Sequence, residues 1–187
     1  MGHVCHWRHA YWFDNALRRL FQNPEWLVRP YVGEGATALD VGCGMGFYSI
    51  AMARLVGESG RVIAVDVQPE MLNVLMRRAR RKGVAGRIRT QPCRAESIGV
   101  SEPVDFALAM WVVHELPDAG RFFGEVRACL KPGAKLLVAE PKLHVNRKGM
   151  EEMIGVAEGA GLRVVERPRV GLSHAALFER DARVDSG

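Results

Sequence analysis

An apolar run from Ala36 to Val41 breaks into glycines at alternate positions, Gly42, Gly44 and Gly46. An apolar pattern at helical spacing follows, at Phe47, Ile50, Ala51 and Leu55. That order predicts a strand, a tight turn and a helix, with an acid, Asp40, at the end of the strand. Glycine lacks a Cβ, so such a loop takes up positive φ cheaply and lets its backbone approach a ligand closely. No other stretch of the chain limits its fold so narrowly.

A dinucleotide site uses the pattern G-x-G-x-x-G, with the pyrophosphate at the helix N-terminus. The spacing here is one residue short, and a pyrophosphate gains nothing from Asp40. An acid, one further residue and three alternating glycines resemble instead the cofactor loop of the class I S-adenosylmethionine (SAM)-dependent methyltransferases. The resemblance implies that Asp40, Gly42, Cys43, Gly44 and Gly46 hold SAM, whose ammonium and sulfonium suit a nearby carboxylate. The plainer reading is an ordinary βα turn.

About 20 residues on, where such folds place a second acid, Arg61 to Asp66 reads as a short buried strand ending in Asp66. The same resemblance puts Asp66 on the ribose hydroxyls and Val67 against the adenine. The alternative is that Asp66 caps the helix opening near Pro69, which has proline in its first turn.

The remaining chain alternates strand and helix. After a helix over about Pro69 to Lys82, strands are expected at Arg87 to Thr90 and Val104 to Met110. A helix from about Asp118 to Leu130 carries Phe122, Phe123, Val126 and Leu130 at helical spacing. Lys131-Pro132-Gly133 reads as a turn and Lys135 to Glu140 as the fifth strand. A helix over about Gly149 to Ala160 stops at Gly161, in the usual C′ position. Strands at Leu162 to Glu166 and Ala175 to Phe178 close the sheet. This order predicts an α/β fold, a doubly wound, mostly parallel seven-stranded sheet with helices on both faces. It matches the Rossmann-like methyltransferase fold, with the resemblance strongest from Gly33 to Pro141. The expected organisation is an N-terminal helical cap segment over 1–32, the methyltransferase domain over 33–180 and a loose tail over 181–187.

One position departs from the family pattern. An aspartate usually follows the third strand and accepts the adenine amino group. Here the match reads Cys93-Arg94-Ala95-Glu96, and arginine has only donors. Adenine recognition is therefore expected from backbone amides at Arg94 and Ala95, with Glu96 as the polar alternative.

Trp111-Val112-Val113-His114-Glu115-Leu116-Pro117-Asp118 follows the fourth strand. It resembles a segment of small-molecule O-methyltransferases in which the matching histidine deprotonates the acceptor hydroxyl. Histidine titrates near neutrality and suits that work. His114 is thus either the catalytic base or a structural loop histidine. Glu140 either lines the same cleft as Trp111 or caps a strand end.

At the N-terminus, Tyr11 and Trp12 either face the sulfonium, as aromatic faces attract cations, or pack a helix onto the sheet edge. His3, Cys5, His6 and His9 are ligand types that zinc accepts, but their spacing is not a zinc pattern, and no metal is expected.

The chain has 187 residues, 48% of them hydrophobic, enough for one good core. Four cysteines without a C-x-x-C pair and the absence of a signal-like start fit a reduced, cytoplasmic protein. No apolar run is long enough for a membrane span. The net charge of +5 gathers at Arg77, Arg78, Arg80, Arg81, Lys82, Arg87 and Arg89. Such a run is commonly a solvated helix face, and it lacks interleaved aromatics that would stack on bases. Three functions follow from these readings. The leading one is methyl transfer from SAM to a small-molecule acceptor at an O, N, S or C nucleophile. The second is methylation of RNA or protein, and the third a non-catalytic SAM-binding regulatory or assembly subunit. A homodimer in which the partner completes the pocket is compatible with any of them.

Overall fold

The computed structural model describes residues 23–180. Tyr11, Trp12 and the group His3, Cys5, His6 and His9 lie outside the described residues, as do residues 181–187. The seven strands belong to a mostly parallel sheet with one antiparallel hairpin, and the chain divides into two compact units at Cys93 and Arg94.

In the first unit, helix α1 (Pro24–Val28) is capped by Asn23, whose side chain accepts from the backbone of Glu25 and Trp26. Strand β1 (Thr37–Val41), helix α2 (Phe47–Leu55), strand β2 (Arg61–Asp66), helix α3 (Pro69–Arg81) and strand β3 (Ile88–Pro92) follow. The strands run parallel in the order β3-β2-β1. β1 and β2 are buried at nearly every position, as expected of strands covered on both faces. α3 buries Met71, Leu72, Leu75 and Ala79 and exposes Arg77, Arg80 and Arg81, while Arg78 on the helix and Arg87 in the turn beyond it are anchored. Arg78 donates to the Met45 carbonyl at 3.3 Å, and Arg87 donates to the Ala53 carbonyl at 3.2 Å. α2 is less amphipathic than its sequence suggests. It buries Tyr48, Ser49, Ala51, Met52 and Ala53, while Ile50 and Leu55 are only half-buried.

The second unit holds strand β4 (Val104–Met110), helix α4 (Ala119–Cys129), strand β5 (Leu130–Pro141), helix α5 (Arg147–Gly159), strand β6 (Leu162–Glu166) and strand β7 (Ser173–Arg180). The order is β4-β5-β7-β6, with β4 and β5 parallel and both β7 pairings antiparallel. α4 and α5 are capped by the side chains of Asp118 and Asn146. The expected turn at Lys131-Pro132-Gly133 is absorbed into β5. Val104 pairs with Leu130 and Phe106 with Lys135, so the extra residues form a bulge, with Gly133 at φ 74°. Leu130 therefore opens a strand instead of closing a helix, and Cys129 takes the last buried place on α4. The third and seventh strands are also displaced or longer than expected, at Ile88–Pro92 and Ser173–Arg180. Among the described residues no helix is long and apolar enough to cross a membrane.

Candidate functional site

Parallel strands deliver their carboxyl ends to one edge of a sheet, where ligands of doubly wound folds bind. In the first unit that edge carries the glycine loop. Gly42, Gly44 and Gly46 have φ values of 63°, 52° and 82°, in the left-handed region that disfavours any residue with a Cβ. Their surroundings differ. A Cβ built on Gly46 would stand 2.5 Å from Leu75 Cγ, so this glycine lets α3 pack against the start of α2. One built on Gly44 meets nothing within 4 Å. Gly44 therefore opens onto space, while Gly46 is closed by packing.

Asp66, the last residue of β2, ties this loop down. Its Oδ2 accepts from the Gly44 amide at 2.8 Å, and its Oδ1 accepts from the Gln68 amide at 2.9 Å. Asp66 is thus both the cap expected before α3 and a clamp on the glycine loop. A carboxylate has about four acceptor sites, so sites remain on Asp66 for further donors. Burial raises its pKa, against the lowering effect of those backbone bonds. Hydroxyl donors at the remaining sites would favour the charged form again. Val67, next in the chain, is an exposed apolar side chain. The open space at Gly44, the partly satisfied Asp66 carboxylate and exposed Val67 fit the ribose and adenine of SAM.

Asp40 is buried and accepts from the Ser49 hydroxyl of α2. Cys43 donates its amide to the Val65 carbonyl at 3.0 Å. Its buried thiol has a pKa well above the ordinary value, chiefly from burial and then from the carboxylates Asp40 and Asp66, so it is an inert packing group. Among the described residues, Cys43, Cys93 and Cys129 form no disulfide.

The second unit carries a different chemistry. β4 ends at Met110, and Trp111 follows at φ 61°, the one non-glycine residue at positive φ among the described residues. An aromatic residue in this conformation costs about 1–3 kcal/mol. Two bonds hold it there, from the Trp111 amide to the Ala139 carbonyl and from Nε1 to Ser173 Oγ, each 2.8 Å. The chain then enters a short 3-10 turn, Val113–Glu115, that presents His114.

Glu140, near the end of β5, is fully buried. Its Oε1 accepts from the Val113 amide at 2.8 Å and its Oε2 contacts His114 Nδ1. An ionised carboxylate only accepts, so Nδ1 carries the proton and Nε2 of neutral His114 is the basic nitrogen. Nε2 lies 3.3 Å from Nδ1 of exposed His144. The hydrogen bond to Glu140 raises the His114 pKa above its ordinary 6.5, opposed by burial and supported by the charges of Glu140 and Glu115. This is a histidine oriented and made more basic by a buried acid, an arrangement suited to general-base work. Among the described residues, no three His, Cys, Asp or Glu side chains group as a metal site.

Arg94 and Ala95 open the second unit. The Arg94 amide donates to the Ser97 carbonyl at 3.1 Å, which leaves the Ala95 amide as the backbone donor of the two. Ser49, Gln68, Arg78 and His144 were not evident as site residues in the sequence. Each acts through a partner that periodicity does not identify, and only Gln68, two residues beyond an acid at a strand end, had a local signal.

Residues 33–161 match the family described as "Methyltransferase domain". The ribosomal protein L11 methyltransferase of Pelotomaculum thermopropionicum is 32% identical over 146 residues, 78% of this chain and 44% of that protein. The ubiquinone/menaquinone biosynthesis C-methyltransferase UbiE of Haemophilus ducreyi is 31% identical over 110 residues, 58% of this chain and 42% of that protein. The chain thus spans less than half the length of these curated relatives. Among solved structures, a SAM-dependent methyltransferase from Aquifex aeolicus superposes with a TM-score of 0.82 at 28% identity, covering 94% of this chain and 98% of that one.

Proposed function

The chain belongs to the methyltransferase domain family, and we propose that it is a SAM-dependent methyltransferase acting on a small-molecule acceptor whose nucleophile holds a proton until it attacks. His114 removes that proton. SAM, when bound, supplies the electrophilic methyl group and departs as a neutral thioether. Within the first unit, Asp66 and Val67 hold its nucleoside, and Gly42, Gly44 and Gly46 with Asp40 and Cys43 shape the loop against it. Trp111 and Glu140 serve the acceptor side, Glu140 by holding His114 and Trp111 by fixing the turn that carries it. The buried Glu140 carboxylate on His114 Nδ1 is the observation that carries this reading, because it leaves Nε2 as the acceptor of a proton. His144 Nδ1 contacts Nε2 in the resting protein, in the place a substrate hydroxyl would take.

A protein acceptor is the second reading, favoured by the likeness to a ribosomal protein methyltransferase. The test is a screen of hydroxyl, thiol and amine acceptors with the demethylated cofactor as readout, repeated with His114→Ala. Turnover is expected to fall about 100-fold or more, with SAM affinity by calorimetry unchanged. Full activity of His114→Ala would make His114 a scaffold residue and remove the argument for a protonated nucleophile.

A further inference from the structure

A cavity of about 530 Å³ lies beside the ends of β5 and β7, within the second unit. Its wall carries four cations, Lys142, Arg147, Arg167 and Arg169, against one carboxylate, Glu151. Arg167 is committed, since its two terminal nitrogens bind the two Glu151 oxygens at 2.5 and 2.7 Å. Among the described residues, the side chains of Lys142, Arg147 and Arg169 have no hydrogen-bond or ion-pair partner. Like charges held around one concavity raise the local potential and favour an anion there. All three are exposed, so the charge sits at the mouth.

The cavity's inner wall is of another kind. Met150, Val170 and Ala175 line it and are buried apolar groups. Beside the lining, Leu143 and Leu172 stand 94% and 79% exposed. A bare inorganic ion would use the mouth and leave this apolar surface unused. A cationic rim over an apolar wall suits an organic anion, a carboxylate or phosphate on an apolar body. The cavity is also tied to the segment bearing His114. Ser173 lines it and accepts from the Trp111 indole, and His174, another lining residue, pairs in the sheet with Glu140.

We propose that this cavity binds the acidic group of the acceptor, making the substrate a small organic acid or phosphate ester; this rests on the small-molecule reading of the function given above. The carboxylate and phosphate share one recognition chemistry, charge-assisted donation from arginine and lysine. Which of the two it is falls to the experiment.

The test uses the full chain loaded with SAM and three probes: phenyl phosphate, benzoate and neutral phenol. Binding is followed at the Trp111 indole N–H signal by NMR, since its acceptor Ser173 lines the cavity, with exposed Trp26 as the internal control. Saturable shifts of the Trp111 signal with phenyl phosphate or benzoate, and none with phenol, are expected. The stronger of the two anions identifies the head group. The double variant Arg147→Gln/Arg169→Gln should weaken that binding roughly tenfold, while Lys148→Gln, outside the cavity lining, should leave it unchanged. SAM affinity should be the same in all variants. Equal binding of phenol, or equal anion binding by the double variant, would overturn the proposal. So would a single-stranded RNA oligonucleotide that binds at these arginines with steep salt dependence while phenyl phosphate and benzoate do not. These readouts need no turnover, so they succeed or fail independently of His114→Ala.

Discussion

Glu140→Gln isolates the central device of the second unit, because it keeps shape and volume while removing one acceptor. Glu140 satisfies two donors, the Val113 amide at 2.8 Å and His114 Nδ1. Glutamine has one carbonyl oxygen and an amide that only donates. One of the two donors must lose its acceptor, and only one can adapt. The Val113 N–H is part of the backbone and cannot move its proton. Imidazole can shift its proton to Nε2 and accept at Nδ1. The glutamine carbonyl therefore turns to Val113, its amide donates to Nδ1, and Nε2 of His114 becomes protonated. The base is then present, well placed and in the wrong tautomer.

The expected loss in turnover is about 10²–10⁴-fold, the range for removing a general base or reversing its tautomer. Stability should fall by only about 1 kcal/mol, since two bonds to a charged acceptor become two neutral ones. The pH profile moves too. The hydrogen bond to Glu140 is the largest cause of the raised His114 pKa. A base must be unprotonated to act, so wild-type activity should rise with pH through a midpoint above 6.5. Loss of the carboxylate moves that midpoint down while the plateau falls. Long-range proton–nitrogen NMR of the imidazole reads the tautomer without any acceptor, and methyl-transfer rates against pH read the rest. An Nδ1–H tautomer retained in a folded Glu140→Gln protein, together with unchanged turnover, would refute the reasoning.

Asp66→Ala should weaken SAM binding by roughly 10- to 100-fold, the size of a lost charged hydrogen bond; unchanged affinity by calorimetry would remove Asp66 from the cofactor site. Gly44→Ala and Gly46→Ala should part company. Both pay for a left-handed φ, but only the Gly46 variant drives a Cβ into Leu75, so it should lose about 1–3 kcal/mol more stability to overpacking and melt at the lower temperature. Gly44→Ala should stay folded and lose SAM affinity, and equal melting temperatures would show that the Leu75 contact relaxes at no cost.

The fold was legible because alternation, apolar runs and glycine placement are local signals. β2 and β4 begin and end where the apolar pattern does, from Arg61 to Asp66 and from Val104 to Met110. The bulge of β5 was not legible. Lys131-Pro132-Gly133 has turn chemistry in either context, and only pairing with β4 decides that the strand resumes on both sides of it. The site divides in the same way. Asp66 and His114 stood out by residue type at strand ends, whereas Ser49 under Asp40 and His144 beside His114 depend on contacts across 9 and 30 residues. Glu140 was visible as a strand-end acid, but nothing local indicates that both its oxygens are used by another loop.

The two units solve one problem in the same way. In each, two parallel strands lie side by side, β1 with β2 and β4 with β5. The loop leaving the first strand must present functional backbone or side chains, which takes amides such as those of Gly44 and Val113 away from strand carbonyls. Each is held by a buried acid near the end of the second strand: Asp66 takes the Gly44 amide and Glu140 the Val113 amide. Parallel pairing makes this economical, because it brings both strand ends to one edge and puts the acid within reach of its neighbour's loop. Burial raises the cost of leaving any of these groups unpaired, so the loop and the acid hold each other in place. The second oxygen then sets the chemistry. On Glu140 it faces His114 and makes a base; on Asp66 it closes the turn into α3 through Gln68, and the acceptor sites left over are those proposed for the ribose. An acid in this position serves loop geometry and ligand chemistry together. Alanine substitutions there should therefore disturb stability and function jointly, whereas the isosteric Glu140→Gln separates the two.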